Sequence, residues 1–287
     1  MRADIDGSNL ETQAFWDKNP CGLSATWEHS REVRYKVTDP YLRQYLTRDR
    51  FGGQTVLEVG CGQGFDACEI ARYCDRYVGV DLSGQSVRIA KDSMERCQPT
   101  VSTSAFLVAD AERLPFSDET FSRVYSVGVL HHTADFPAAL REIHRLLHKN
   151  GELILMLYHS FTPLWVVLRT VRGLLRVPFL GQRIRKRALM SLRNAKPSDV
   201  DSSTGTAFLE LIGCPIIDTY TLRGLRKCFD GKFAIQDAAS FRVGFDQVAR
   251  CLPKTAQRWW PREGMARWEE RLRGWLGFYL VVTARKQ

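Results

Sequence analysis

Three alternate glycines constrain the fold more than any other feature of the 287-residue sequence. Gly60, Gly62 and Gly64 directly follow the strand-like run Thr55–Val59, so a strand is predicted to turn sharply into a helix there. Glycine lets a backbone approach a ligand closely, and the helix N-terminus that comes next offers unpaired N–H groups. The segment therefore predicts a strand–turn–helix that binds a nucleotide-like ligand.

Short strand-like runs alternate with helical patterns between residues 54 and 158. The predicted strands are 55–59, 77–81, 105–109, 122–127 and 152–157, and the predicted helices are 66–73, 86–97 and 137–147. A weaker continuation predicts a helix at 222–229 and strands at 233–239 and 278–283. Such alternation indicates a parallel sheet with helices on both faces.

The spacing of residues in the glycine turn distinguishes between several known nucleotide-binding motifs. A dinucleotide fingerprint needs Gly or Ala at its sixth place, which is Phe65 here, and the Gly-Lys-Ser/Thr of a phosphate-binding P-loop is absent. Glu58 stands two residues before the first glycine. A carboxylate at that place suits a cationic amine better than a pyrophosphate.

The turn and the ends of the next three strands resemble the cofactor site of class I S-adenosylmethionine-dependent methyltransferases. The resemblance rests on Glu58–Gly64, Gly79–Ser83, Ala109–Phe116 and Ser126–His132, in that order along the chain. Ala111–Phe116 and Leu130–His132 are similar to the type-11 branch, which includes quinone-biosynthesis enzymes. The segment Phe15–Cys21 looks like uncharacterised bacterial members of that branch.

The resemblance implies S-adenosyl-L-methionine as the cofactor and gives roles to matching positions. In the family an acid at the place of Asp81 holds both ribose hydroxyls, and an Asp at the place of Asp110 binds the adenine edge. The antiparallel direction of the last strand is also implied. Tyr35 and Trp16 are lid candidates, with simple packing as the alternative. The expected cofactor-binding residues are Glu58, Gly60, Cys61, Gly62, Gly64, Asp81, Leu82, Asp110, Ala111, Val127 and Tyr35.

Four side chains are candidates for catalysis. His131 and His132 follow the fourth strand, and Tyr158 and His159 follow the fifth, at the carboxyl edge where open α/β sheets bind ligands. Methyl transfer mainly requires alignment of the nucleophile, and a base is needed only where the acceptor is protonated. The alternative is that one residue of each pair is structural and bonded to backbone carbonyls.

The net charge of +9 comes from one segment. Residues 160–197 hold nine Lys and Arg and no acidic residue, so the rest of the chain has 32 of each sign. Apolar positions within 164–176 follow helical spacing, with Arg169, Arg172 and Arg176 on the other face. Three interpretations stay open: a cap with solvated arginines, contact of 164–193 with an anionic membrane, or a nucleic-acid surface, which the family branch disfavours.

The remaining bulk features exclude several classes of protein. The eight cysteines form no CxxC pair, so no metal site is predicted. The N-terminus has no apolar stretch, and no stretch reaches the length of a spanning helix. Together with the scattered cysteines, this favours a cytoplasmic location, with peripheral contact at the inner membrane face as an option.

We predict an α/β fold, a Rossmann-like seven-stranded mostly parallel sheet with helices on both faces, plus an N-terminal and an inserted helical cap. The predicted parts are the N-terminal cap 1–50, the cofactor-binding core 51–159, the basic insertion 160–216 and the rest of the core, 217–287. The predicted function is transfer of a methyl group to O, N or C of a small molecule, with lipophilic molecules included. The alternatives are cofactor binding without transfer, as in a regulatory protein, and methylation of nucleic acid. No oligomeric state is predicted.

Overall fold

Seven strands form one sheet. We describe a computed structural model that covers residues 9–20, 27–99, 101, 103–162, 165–166, 169–170, 172–173, 210, 213–242, 271–272 and 276–287. The strands are β1 (Thr55–Val59), β2 (Arg76–Asp81), β3 (Thr103–Val108), β4 (Phe121–Val127), β5 (Leu147–Tyr158), β6 (Phe233–Phe241) and β7 (Tyr279–Lys286). They lie side by side in the order β3-β2-β1-β4-β5-β7-β6.

The sheet is parallel except at one strand. β1 pairs in parallel with β2 and β4, and the parallel pairing extends to β3 and β5. β7 lies between β5 and β6 and runs antiparallel to both. The predicted seven-stranded, mostly parallel sheet with a reversed last strand is therefore confirmed. The chain leaves β1 in one direction and returns to β4 on its other side, which creates a crevice at the carboxyl ends of these strands.

Helices cover both faces of the sheet. Side chains alternate along the strands, so each face presents apolar side chains against which helices pack. On one face, Leu57 packs in a buried cluster with Ile143 and Leu225, and on the other Val56 packs with Ile70. The helices are α1 (Leu10–Lys18), α2 (Trp27–Val33), α3 (Arg48–Phe51), α4 (Phe65–Ile70), α5 (Gly84–Cys97), α6 (Phe136–Leu146) and α7 (Leu222–Phe229).

Side-chain caps fix where three of these helices begin. Ser83, Asp135 and Thr221 each accept a hydrogen bond from a backbone N–H in the first turn of α5, α6 and α7. Such a cap satisfies an N–H group that the helix leaves unpaired. Among the helices described here, none is long and apolar enough to cross a membrane.

A disulfide joins Cys68 on α4 to Cys97 at the end of α5. The sequence does not predict this bond, since its scattered cysteines favour a reducing compartment. The two residues are 29 positions apart, and only the side-by-side packing of α4 and α5 brings them together. The cytoplasmic location stays a prediction.

The basic insertion is described only in part. Arg169 is exposed, as expected, but Arg172 donates to the backbone carbonyls of Cys214 and Pro215 at 2.8 and 2.9 Å. Arg172 therefore fixes the end of the insertion and is not simply solvated. Arg176 lies outside the described residues. Membrane contact through 164–193 stays a prediction.

A buried carboxylate ties the N-terminal segment to the sheet. Asp66, in the first turn of α4, accepts hydrogen bonds from the Arg34 guanidinium at 2.7 and 3.3 Å. The hydroxyls of Tyr35 and, at 3.0 Å, Tyr125 donate to the same carboxylate. Asp66 is 4% exposed, so these donors replace the water that it loses on burial.

We expect Asp66→Ala to lower the free energy of unfolding by about 3 kcal/mol, because it leaves a buried guanidinium and two hydroxyls without the acceptor that they share. Urea titration followed by circular dichroism measures this loss. Asp92→Ala, at an exposed position on α5, is the matched control and should change stability by less than about 0.5 kcal/mol. Equal stability of the two variants would contradict the assignment.

Candidate active site

A cavity of about 230 Å³ opens at the carboxyl ends of β1, β2 and β4. Most of the predicted site residues meet there. Those lining it are Glu58, Gly60, Cys61, Gly62, Asp81, Leu82, Asp110, Ala111, Val127, His132 and Tyr158, together with Trp16. Gly64, Tyr35, His131 and His159 are not among the described lining residues.

The glycine turn has two different structural reasons for glycine. Gly60 has φ +81°, and a Cβ there would lie 2.0 Å from a methyl of Val129. Gly62 has φ +51°, and no described atom lies within 4 Å of the place that a Cβ would take, so its backbone faces open space in the cavity. Gly64 precedes α4 and packs against Ala90. The turn thus exposes backbone to a ligand at Gly62 while Gly60 and Gly64 serve packing.

Backbone amides hold the Asp81 carboxylate in place. The amides of Gly62 and Ser83 each donate to one carboxylate oxygen at 2.9 Å. Burial raises the pKa of Asp81 to about 6. A carboxylate can accept about four hydrogen bonds, so it has capacity for two more donors, such as the two hydroxyls of a vicinal diol.

Asp110 is positioned by a residue that sequence reasoning missed. Asn9, 1% exposed, donates its amide hydrogens to Asp110 at 2.8 Å and to Glu112 at 2.9 Å. Glu112 in turn accepts from the backbone N–H of Asp135 at 2.8 Å. Asn9 lies in no motif and about a hundred residues away, so only the folded chain shows this role.

Glu58 is buried and 3% exposed, with the Tyr77 hydroxyl donating to it. Burial, and then the nearby Asp66, raise the pKa of Glu58 well above its usual value. A cation bound beside this carboxyl would restore its ionised form. The site is therefore suited to an amine cation, as the sequence predicts.

The N-terminal segment covers the ligand edge of the sheet. The segment contributes residues to the cavity lining, among them Asn9, Thr12, Trp16, Ser30 and Arg34. Side-chain bonds tie the segment to β1, β2 and β3 near their ends: Gln13 to the Leu82 carbonyl, the Ser83 hydroxyl to Asp17, Trp27 to the Gln63 carbonyl and Asn9 to Asp110. Trp16 therefore lies in a segment that covers the cavity, whereas the Tyr35 hydroxyl is bonded to Asp66. A role of either residue as a lid stays a prediction.

His132 lines the cavity and has one ring nitrogen bonded to the backbone. Nδ1 lies 2.7 Å from the Ile216 carbonyl, which can only accept, so Nδ1 carries the hydrogen and Nε2 keeps its lone pair. Within the described part of the chain, Nε2 has no hydrogen-bond partner. Burial lowers the pKa of His132 to about 4, so the ring is neutral near pH 7.

The other two histidines have different surroundings. His131 is fully buried, and its ring packs at a tilt against the Tyr158 and His132 rings, with ring centres 3.9 and 4.1 Å apart. Burial holds its pKa well below the usual value. His159 lies 3.2 Å through Nδ1 from the Gly277 carbonyl. The sequence places His131 and His132 next to each other after a strand, so it does not show which ring faces the cavity. In the structure, His132 lines it.

A second residue missed by the sequence interpretation is Glu210. It lines the cavity, is 6% exposed and accepts a hydrogen bond from the Tyr158 hydroxyl. Burial raises the pKa of Glu210 to about 7. It lies in the predicted insertion, where no local pattern marks it. In the described residues, no group of acidic, His and Cys side chains could hold a metal ion.

A family model described as a methyltransferase domain matches residues 57–155. This match spans the glycine turn, Asp81, Asp110 and His132. Residues 57–155 are a class I methyltransferase domain of the type-11 branch. The sequence-based recognition is thereby confirmed for this segment.

Named relatives are similar to the methyltransferase domain and its surroundings. The O-methyltransferase cnsE of Penicillium expansum is 34% identical over 36% of this chain and 37% of its own length. The 27-O-demethylrifamycin SV methyltransferase of Amycolatopsis mediterranei is 31% identical over 52% of this chain and 51% of its own. The match thus spans about half of these relatives or less.

Solved structures with the same fold cover nearly the whole chain. The (4+2)-cyclase SpnF has a TM-score of 0.56 at 19% identity and covers 99% of this chain and 98% of its own. At that identity the likeness concerns the fold alone. The sequence match to the family is therefore limited to residues 57–155, whereas the similarity of fold extends over nearly the whole chain.

We expect His132 to be neutral and protonated at Nδ1 throughout pH 5–8. Nitrogen-15 chemical shifts of labelled histidine report both the charge and the tautomer, and His132→Gln assigns the signal. An Nε2-protonated ring, or a ring that titrates near pH 6.5, would contradict the bond to the Ile216 carbonyl.

Proposed function

We propose that this chain transfers the methyl group of S-adenosyl-L-methionine to a hydroxyl oxygen of a small molecule. The main support for this proposal is that one cavity is lined by residues from four separate strand ends, namely Glu58, Asp81, Asp110 and His132. The matched methyltransferase domain and relatives whose names specify O-methylation support the same reaction.

The residues present fit the cofactor's functional groups. The buried Glu58 carboxyl suits the amino group, the remaining acceptor capacity of Asp81 suits the ribose diol, and Asp110 with the Ala111 backbone suits the adenine edge. No described atom lies within 4 Å of the place that a Cβ of Gly62 would take, so the cofactor can approach the backbone closely there. The cofactor supplies an electrophilic methyl group on a sulfonium, and this acidic cavity favours such a cation.

His132 supplies the proton acceptor in this proposal. Its Nε2 lone pair would accept a hydrogen bond from the hydroxyl of the methyl acceptor and take the proton as the oxygen gains the methyl group, with the sulfur–methyl bond broken and S-adenosylhomocysteine as the leaving group. The bond from Nδ1 to the Ile216 carbonyl fixes the tautomer that this requires. His131 packs against the His132 ring and is not among the described lining residues, so the proposal gives it no direct role. The amino and carbon acceptors that the sequence left open have no comparable support in the site.

Cofactor binding without transfer is the second candidate. The cyclase SpnF has the same fold under a name other than methyltransferase, so the fold alone does not decide between the two. Both candidates require the cofactor, so binding experiments test what they share. Only turnover separates them. Labelled S-adenosyl-L-methionine incubated with small-molecule extracts, followed by mass spectrometry of labelled products, decides whether transfer occurs.

We expect Asp81→Asn to weaken S-adenosyl-L-methionine binding at least about 30-fold, since two charge-assisted hydrogen bonds are lost. Isothermal titration calorimetry measures the dissociation constant, with Asp92→Asn as the exposed control. The unmodified chain should also lose affinity as the pH falls through about 6, because Asp81 then becomes protonated. Affinity that is independent of both changes would place the ribose elsewhere.

His132→Gln should leave cofactor affinity within about twofold and slow transfer roughly 100-fold or more, the usual contribution of a general base. The rate of label transfer to an extract component that the unmodified chain methylates is the measurement. His148→Gln, at an exposed position, serves as the control. Unchanged transfer by His132→Gln would remove this residue from the mechanism.

A further inference from the structure

The segment 214–220 lies beside the turn that follows β4, and we call it the crossing segment. The N–H of Asp218 donates to the His131 carbonyl at 2.9 Å, and the Ile216 carbonyl lies 2.7 Å from His132 Nδ1. The crossing segment is thus bonded to both histidines of that turn. The position of one of its backbone carbonyls decides which ring nitrogen of His132 holds the hydrogen.

Arg172 holds the beginning of the crossing segment. Its Nη2 donates to the carbonyls of Cys214 and Pro215 at 2.8 and 2.9 Å, so the two hydrogens of one nitrogen are directed at successive carbonyls. Each peptide unit is planar, and the Pro215 carbonyl belongs to the unit that ends at Ile216. Arg172 therefore fixes the peptide plane that leads into the residue whose carbonyl binds His132.

A buried thiol also bonds to the Ile216 carbonyl. Cys214 Sγ lies 3.2 Å from that oxygen and 3.5 Å from His132 Nδ1. Burial raises the pKa of Cys214 to about 12, so the thiol keeps its hydrogen near pH 7 and donates it. A carbonyl oxygen has two lone pairs, and this one can accept from both the thiol and the ring. The thiol therefore supports the Ile216 carbonyl without displacing His132.

A buried apolar cluster at the end of β5 supports both the insertion and the crossing segment. Arg172 and Trp165 are helical residues of the insertion. Trp165 is 7% exposed and packs in the cluster with Tyr158 and Phe278. Ile217, in the crossing segment, packs against the same cluster. The helical residues that include Arg172 and the backbone that Arg172 binds therefore share one apolar support.

The His132 ring is neutral near pH 7, so its hydrogen bond selects between two tautomers. Burial lowers the pKa of His132 to about 4, while the bond to the Ile216 carbonyl raises it and the nearby Arg172 cation lowers it. A neutral imidazole has one hydrogen, on Nδ1 or on Nε2. With the hydrogen on Nδ1, Nε2 can accept a proton, whereas a ring protonated at Nε2 can only donate there.

We propose that Arg172 is a positioning residue for the proposed base, because its bonds to the crossing segment keep the Ile216 carbonyl on His132 Nδ1. The proposal rests on the function proposed for His132 and adds the residue that selects its tautomer. Arg172 is not among the described lining residues, so it acts through the crossing segment and not by contact with a ligand. One arginine of the basic insertion is thereby assigned to the chemistry of the cavity.

Nitrogen-15 shifts of His132 in the full histidine-labelled chain at pH 7 test the proposal, with His132→Gln to assign the signal. We expect Arg172→Met to change the ratio of the two tautomers roughly 5-fold or more toward Nε2–H, the net contribution of one hydrogen bond. Arg172→Lys keeps a cation that can donate to both carbonyls, so it should restore much of the Nδ1–H form. Arg169→Met, at an exposed position of the same insertion, is the matched control and should leave the ratio unchanged.

Transfer and cofactor binding separate this role from a merely structural one. In Arg172→Met the rate of label transfer should fall in proportion to the Nδ1–H fraction that remains, because only this tautomer can take the proton. Calorimetric affinity for S-adenosylhomocysteine should stay unchanged, since the bonds that Arg172 makes lie in the crossing segment.

Should Arg172→Met fail to fold, Arg172→Gln replaces it with the same expectation, because its shorter amide does not reach both carbonyls. An unchanged tautomer ratio in either folded variant overturns the proposal. Absence of S-adenosylhomocysteine binding or of label transfer by the unmodified chain would instead overturn the proposed function. The two failures are distinguishable, since the tautomer ratio is measured without cofactor or acceptor.

Discussion

The bonds that Asp66 makes to Arg34, Tyr35 and Tyr125 hold the rest of the site together. Asp66 belongs to the first turn after the glycine loop, Tyr125 belongs to β4, and Arg34 and Tyr35 belong to the N-terminal segment. One carboxylate therefore joins three parts of the chain at the cavity lining. Asn9, earlier in the N-terminal segment, has its own hydrogen bond to Asp110 beside the end of β3.

The cavity and the chain as a whole differ in the sign of their charge. The excess of basic residues lies in 160–197, whereas carboxyl groups predominate in the cavity lining. The charge of +9 therefore says little about the ligands that the cavity binds, and a cationic cofactor suits the interior. Arg172, although it belongs to the basic segment, serves the interior by fixing the backbone that binds His132.

The sequence predicts well the features that arise from local pattern. Strand ends, the glycine turn and the acids at Glu58, Asp81 and Asp110 all show in short stretches, and the structure brings them together. Long-range partners are different: Asn9, Asp66 and Glu210 satisfy groups far along the chain. Which of His131 and His132 faces the cavity depends on a single turn of the backbone after β4, and no periodicity reports it. The disulfide between α4 and α5 likewise depends on packing.

The N-terminal segment that covers the strand ends has a consequence for the proposed reaction. Its hydrogen bonds reach the ends of β1, β2 and β3, beside the residues that the proposed function gives to the adenosine part of the cofactor. Under that proposal, exchange of the cofactor would require these bonds to open. Entry of the cofactor before the acceptor would follow, and release of the spent cofactor would depend on the N-terminal residues.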